Sequence, residues 1–245
     1  MEDYNIYCGD CLNYMKKIPS ESIDMILCDL PYGTTRNKWD SVIDLNLLWK
    51  QYERIIKENG AIVLFAQVPF NIMLGASNLK LLKYEWIWEK PQGTGFLNAK
   101  KMPLKSHENI LVFYKKLPTY NPQMVGDEVR KIKRNQRKKI NNYENFIDEK
   151  ESVYIGRYPK DILKFNKDKE KIHPTQKPVS LLEYLIKTYT NENEVVLDNC
   201  MGSGSTGVAC INTNRKFIGC ELDENYFKIA EQRLKNTIKN IKSQD

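Results

Sequence analysis

The chain has 245 residues, 41% of them hydrophobic and 11% aromatic, which suits one sizeable core with room for an inserted lobe and excludes a disordered protein. Its 38 Lys and Arg outnumber 31 Asp and Glu for a net charge of +7, a balance that suits a polyanionic partner such as nucleic acid without requiring one. The opening Met1-Glu2-Asp3-Tyr4-Asn5 has no basic segment leading into an apolar one, and no apolar run approaches the roughly 20 residues that span a bilayer. No membrane partner is therefore expected, and a cytoplasmic location is.

In chain order, Cys8-Gly9-Asp10-Cys11 comes first. It has the spacing of half a metal site, but no second such pair follows, and His107 and His173 lack ligand spacing. The six cysteines thus read as reduced core residues, with no metal expected. Ser22 to Cys28 is a β-rich run ending at Asp29 and a Pro-Tyr-Gly turn. Leu45 to Lys57 carries apolar residues at helical spacing (Leu45, Leu48, Trp49, Tyr52, Ile55, Ile56), and Asn59-Gly60 predicts its stop. Strands are expected over Ala61–Phe65, Tyr84–Trp88 and Asn109–Tyr114, with a helix over Phe70–Asn78. Later come a helix over Val179–Tyr189, a strand at Val195–Leu197, a helix over Gly207–Asn212, a strand at Lys216–Cys220 and an amphipathic helix over Asn225–Lys242. Strands separated by helices imply an α/β fold with a mostly parallel sheet covered on both faces.

The stretch from Leu117 to Lys171 differs. It is polar, broken by Pro118, Pro122 and Pro159, and holds Arg130, Lys131, Lys133, Arg134, Arg137, Lys138 and Lys139 in one run. Such a run is commonly a solvated face. Here Tyr120, Tyr143, Phe146, Tyr154 and Tyr158 interleave it, a composition that suits phosphates with aromatics to spare for bases.

From Glu194 to Gly207 the chain reads as strand, glycine turn and helix start, a backbone that can approach a ligand closely. Gly202-x-Gly204-x-x-Gly207, with Glu221 downstream, also matches the dinucleotide fingerprint, which keeps a nicotinamide oxidoreductase open. Asp198, at the strand end before the glycines, argues the other way. A carboxylate there repels pyrophosphate and attracts the amino group and sulfonium of S-adenosylmethionine. Asp198 could instead merely cap the next helix.

Cys28-Asp29-Leu30-Pro31-Tyr32-Gly33 sets a carboxylate, a rigid turn and an aromatic at the end of a strand, where such sheets bind ligands. An exocyclic base amine is a poor nucleophile because its lone pair is delocalised. The Asp29 carboxylate and the Leu30 carbonyl could grip its hydrogens, Pro31 would stiffen the turn, and Tyr32 offers a face for an extruded base. An ordinary Asp-x-Pro turn is the plainer reading.

Asp29-Leu30-Pro31-Tyr32, followed far downstream by Asp198-x-x-x-Gly202-Ser203-Gly204-Ser205, resembles the amino-methyltransferases of DNA. Specifically it resembles their β-class, in which the catalytic motif precedes the cofactor motif. His173-Pro174-Thr175-Gln176-Lys177-Pro178 is similar to the segment leading that class's cofactor half, and Gly219-Cys220-Glu221-Leu222-Asp223 to its ribose-binding motif. Leu30 departs from the family's usual proline. The resemblance implies the Rossmann-like sheet of S-adenosylmethionine-dependent methyltransferases, circularly permuted; the breaker and charge signals bound a target-recognition insertion at 117–171, leaving residues 1–116 and 172–245 as catalytic domain. It implies that Asp198, Gly202, Gly204, Ser205 and Thr206 hold the methionine part and Glu221 the ribose. Asp10 and Cys11 would lie near the cofactor's adenine, and Thr175 and Lys177 would line the methionine side. Asp29, Leu30, Pro31 and Tyr32 would handle the target base, Asp29 also facing the cofactor. Arg130, Lys131, Lys133, Arg134, Arg137 and Lys138 would contact double-stranded DNA. Asp as first residue of the tetrapeptide is typical of adenine-N6 members and Ser of cytosine-N4 members, so adenine is expected. A homodimer and a cognate restriction endonuclease accord with the family. Cytosine-N4 methylation, an RNA- or glutamine-directed enzyme and a non-catalytic DNA-binding protein on the same scaffold remain the alternatives.

Overall fold

The computed structural model describes residues 3–33, 42–137, 147–168 and 176–243. They fall into two units, Met1–Asn121 with Asp161–Asp245, and Pro122–Lys160. In the first unit, β1 (Tyr4–Cys8) leads to α1 (Cys11–Met15), then β2 (Ile23–Asp29), α2 (Leu45–Ile55), β3 (Ile56–Ala66) and α3 (Phe70–Ser77). Next come β4 (Leu82–Thr94) and β5 (Lys105–Phe113). The second unit holds β6 (Val125–Arg137) and β7 (Ile147–Arg157), paired antiparallel. The first unit resumes with β8 (Ile162–Lys164), α4 (Val179–Tyr189), β9 (Val195–Asp198), α5 (Ser205–Asn212), β10 (Lys216–Glu221) and α6 (Glu224–Lys242).

Among the described residues the main sheet has eight strands in the order β1-β10-β9-β2-β3-β5-β4-β8. The run from β1 to β3 is parallel, β5 is antiparallel to both neighbours, and β8 runs parallel to β4. Consecutive residues of the central strands are buried on opposite faces. Met25 and Leu27 of β2 pack with α4, α5 and α6, whereas Ile26 and Cys28 pack with α1, α2 and α3. Such double burial explains why these strands read as unbroken apolar runs. Each fully buried Leu, Ile or Phe contributes roughly 1.5–3 kcal/mol.

β2 and β9 lie side by side, yet the helices that follow them cover opposite faces of the sheet. A crevice must open at that point beyond the strands' carboxyl ends. The fold thereby fixes where a ligand can sit, and the residues there are Asp29 of β2 and Asp198 of β9.

Two features depart from the sequence pattern. Asn59-Gly60 does not end α2, which stops at Ile55; both residues lie in β3, at an irregularity in its pairing with β2. Glycine is needed there for a close approach, because a Cβ on Gly60 would lie 2.8 Å from the Asp24 carbonyl oxygen. Ile162–Lys164, inside the stretch 117–171, belongs to the main sheet as β8. Three residues with a single buried side chain, Leu163, give too short a signal to read. No helix of the described residues is long and apolar enough to cross a membrane.

Candidate active site

Asp29 ends β2 and meets three charged groups that reach it from elsewhere. The Lys177 ammonium, just before α4, donates to Asp29 Oδ2 and lies 3.3 Å from Glu108 Oε2. Glu108 of β5 in turn pairs with Lys90 of β4 at 2.6 Å. Lys177, Glu108 and Lys90 are all buried. The signs alternate, two positive and two negative, which is how buried charges persist: each removed partner would strand a charge away from water. Burial pushes the Asp29 carboxyl above its ordinary range, with Lys177 pulling the other way. Burial also works to raise Glu108, but Lys177 and Lys90 outweigh it and hold that carboxyl below its usual value. Burial acts to lower Lys177; Asp29 and Glu108 overcome it and keep the ammonium more firmly protonated than usual.

The other Asp29 oxygen is also engaged. Tyr32 donates its hydroxyl to Oδ1 at 2.6 Å, and its ring stacks on Phe70 of α3 with centroids 5.1 Å apart. Leu30 is buried against the α1–α3 side of the sheet.

Asp198 ends the neighbouring β9 and is 4% exposed. It accepts the Thr206 hydroxyl at 2.6 Å and the Cys200 N–H at 3.1 Å. Burial raises this carboxyl to about 6, although both bonds favour its charged form. Asp198 is not the cap of α5, whose N-cap is Gly204. Gly202 and Gly204 hold the turn between them at φ 51° and 79°, left-handed backbone that side chains beyond glycine adopt only with strain. Gly204 also lies against α6, where a Cβ would stand 3.0 Å from the Ala230 Cβ. Glu221 closes this end: its carboxylate accepts the Gly202 N–H at 2.8 Å and the Asp223 N–H at 2.9 Å. Burial raises Glu221 while those N–H groups oppose the shift. Asp10 caps α1 by accepting the Asn13 N–H at 2.8 Å, and Cys11 is buried behind it.

One cavity of about 560 Å³ joins the two ends, lined by Asp29, Leu30, Pro31, Tyr32, Glu108 and Lys177 on one side. Asp10, Cys11, Asp198, Gly202, Ser205, Thr206 and Glu221 line the other. Lys177, expected from sequence to line the methionine side, lines the cavity and donates to Asp29. Lys90 and Glu108 carry no motif and escape a sequence reading altogether. Thr175 and Lys138 lie outside the described residues. Arg130, Lys131, Lys133, Arg134 and Arg137 fall on β6, in the second unit, with Lys131 exposed.

Known proteins share this arrangement of elements. The family model for DNA methylases of the N6/N4 methyltransferase type matches residues 23–232. DNA adenine methyltransferase YhdJ of Escherichia coli is 30% identical over 95% of this chain and 83% of its own. Type II methyltransferase M.BglII of Bacillus subtilis is 29% identical over 94% of this chain and 68% of its own. The crystal structure of an M1.HpyAVI–SAM complex superposes with a TM-score of 0.64 at 27% identity, covering 94% of this chain and 100% of that one. PvuII DNA methyltransferase, described as cytosine-N4-specific, shares the fold at a TM-score of 0.69 and 17% identity, over 97% of this chain and 92% of its own. With its two carboxylate-bearing strand ends opening on one cavity, this chain belongs to the N6/N4 family of DNA methyltransferases, whose cofactor is S-adenosylmethionine.

Proposed function

We propose that this enzyme methylates the N6 amine of adenine in double-stranded DNA at a specific site, acting on a base drawn out of its stack. The observation that carries the reading is that Asp29 and Asp198, the last residues of two adjacent parallel strands, line one cavity. S-adenosylmethionine fits the Asp198 end on the chemistry of its donors. The buried Asp198 is held by two neutral donors, the Thr206 hydroxyl and the Cys200 N–H, so its charge is available to a cation, and the left-handed glycine turn keeps the backbone open beside it. Asp198, Gly202, Ser205 and Thr206 would hold the methionine part and Glu221 the ribose hydroxyls. When bound, the cofactor supplies an electrophilic methyl group on a sulfonium.

The remaining chemistry belongs to the chain. Asp29 accepts a hydrogen bond from the target amine, drawing its lone pair out of conjugation and toward the methyl group, and takes up the proton the amine sheds. Lys177 opposes the effect of burial on Asp29 and so favours its ionised form, the better acceptor. Tyr32, backed by the buried Phe70, offers an aromatic face for the base. Positioning and electrostatics suffice for a direct in-line displacement. The basic positions on β6 would grip phosphates, which the net charge of +7 favours.

Adenine is favoured by Asp as first residue of the tetrapeptide and by a relative named as an adenine methyltransferase. Cytosine N4 is the second reading, kept by the cytosine-specific enzyme that shares the fold. Transfer of labelled methyl groups to unmethylated genomic DNA, followed by nucleoside analysis, tests both. N6-methyladenine is expected; N4-methylcytosine would overturn the base, and label confined to RNA or protein would overturn the substrate.

A further inference from the structure

The connection between β4 and β5 presents an apolar tip to solvent. Leu97 is fully exposed and Phe96 is 73% exposed, an arrangement water opposes and that a folded loop normally avoids. The tip is nonetheless built firmly. Phe96–Asn98 forms a single 3-10 turn, closed by the Asn98 N–H on the Gly95 carbonyl at 2.9 Å and the Ala99 N–H on the Phe96 carbonyl at 3.0 Å. Gly95 enters it at φ 95°, a conformation that suits glycine. At the base, Thr94 pairs with Lys105 and donates its hydroxyl to the Lys105 carbonyl at 3.2 Å. Gly93 approaches Leu104 so closely that a Cβ would lie 2.7 Å from the Leu104 Cβ. Thus a hydrogen-bonded turn on a pinned hairpin holds two large apolar side chains outward.

Two further observations say what it meets. No Asp or Glu occurs between Glu89 and Glu108, whereas Lys100, Lys101 and Lys105 are exposed in that interval, a charge that suits phosphates. Thr94, two residues before Phe96, lines the same cavity as Asp29 and Glu108. The apolar tip therefore stands at the rim of the place where a base would enter. We infer that this tip is a wedge for the DNA base stack, Leu97 filling the space that the extruded base leaves, with Phe96 beside it and the three lysines on flanking phosphates. Proteins that part stacked bases do so with apolar side chains of this kind, because the inserted group replaces stacking that would otherwise be lost. The inference rests on the proposed reading of the chain as a DNA-methylating enzyme.

The test uses a duplex carrying the site that methylation mapping reveals, in two forms, with the target base paired and with it opposite an abasic position. For Leu97→Ala, kcat/KM should fall about tenfold or more on the paired duplex and stay within about twofold on the unpaired one, since the cost of extrusion is already met there. With 2-aminopurine at the target, the fluorescence rise on binding should shrink in the same variant. Leu97→Met, which keeps the apolar volume, should restore both. Equal losses on the two duplexes, or none on either, would overturn the wedge. So would a change in sedimentation mass with unaltered methylation, which would assign the tip to self-association. If the wild-type enzyme methylates neither duplex, the functional reading fails, and the wedge with it.

Discussion

The two ends of the cavity both rest on a strand-terminal aspartate, and they hold it in opposite ways. Asp198 is bound by a hydroxyl and an N–H, neutral groups that orient a carboxylate without cancelling its charge. Asp29 is bound by an ammonium, itself part of a chain of four alternating charges. One end offers net negative charge; the other offers a hydrogen-bond acceptor whose charge is already compensated. That difference matches the ligands proposed for them, a cation at Asp198 and an uncharged amine at Asp29. Charge complementarity is placed where the ligand is charged, and withheld where it is not.

The largest effect should come from separating the ends. Asp29→Asn keeps the shape of the side chain but removes the anionic acceptor, so methyl transfer should fall at least about 100-fold while cofactor affinity, measured by calorimetry, stays within about twofold. Equal losses in both would mean that the two ends do not act separately. A smaller effect is expected from Lys177→Met, which leaves Asp29 and Glu108 close together without their ammonium. An opposite charge at this range holds a carboxyl down by about 1–3 pKa units. Transfer near pH 7 should therefore drop about tenfold and recover as pH rises; a loss of equal size at every pH would assign Lys177 to packing alone.

The smallest effect concerns Asp198. A carboxyl raised to about 6 in the folded chain contributes stability that is complete below the unfolded value of about 3.9 and lost as pH rises through the folded one. Binding a cation requires the ionised form, so cofactor affinity runs the other way. It should be about fourfold weaker at pH 5.5 than at pH 7, and Asp198→Asn should bind more weakly with no such dependence. A wild-type affinity that is flat over this interval would show that the charge of Asp198 does not contribute.

The same contrast explains what could be read from the chain. Asp198 finds its partners 2 and 8 residues away, and Glu221 finds one 19 residues back. Such spacings survive as a pattern, and the turn's glycines announce its backbone. Lys177 is marked by its segment, but it lies 148 residues from Asp29, so nothing local marks the pairing. Lys90 and Glu108 sit on strands whose apolar neighbours dominate the reading. Most strands and helices were legible because the central strands are buried on both faces and α2 keeps Leu48, Trp49, Tyr52 and Ile55 on one side. Asn59-Gly60 misled because the same dipeptide that ends helices also serves where two backbones crowd, as at Asp24.

The hydroxyl of Tyr32 already donates to Asp29 Oδ1. Whatever replaces it must bring a hydrogen of its own, since a lone pair facing that carboxylate would meet only repulsion. On the proposed reading this makes Asp29 a filter of base edges. Adenine and cytosine present an amino group at the relevant ring position, whereas guanine and thymine present a keto oxygen there. The carboxylate refuses the keto pair and admits both members of the amino pair, leaving the choice of purine or pyrimidine to the shape of the surrounding walls. In that sense one strand end would separate amino bases from keto bases before the shape of the pocket is consulted.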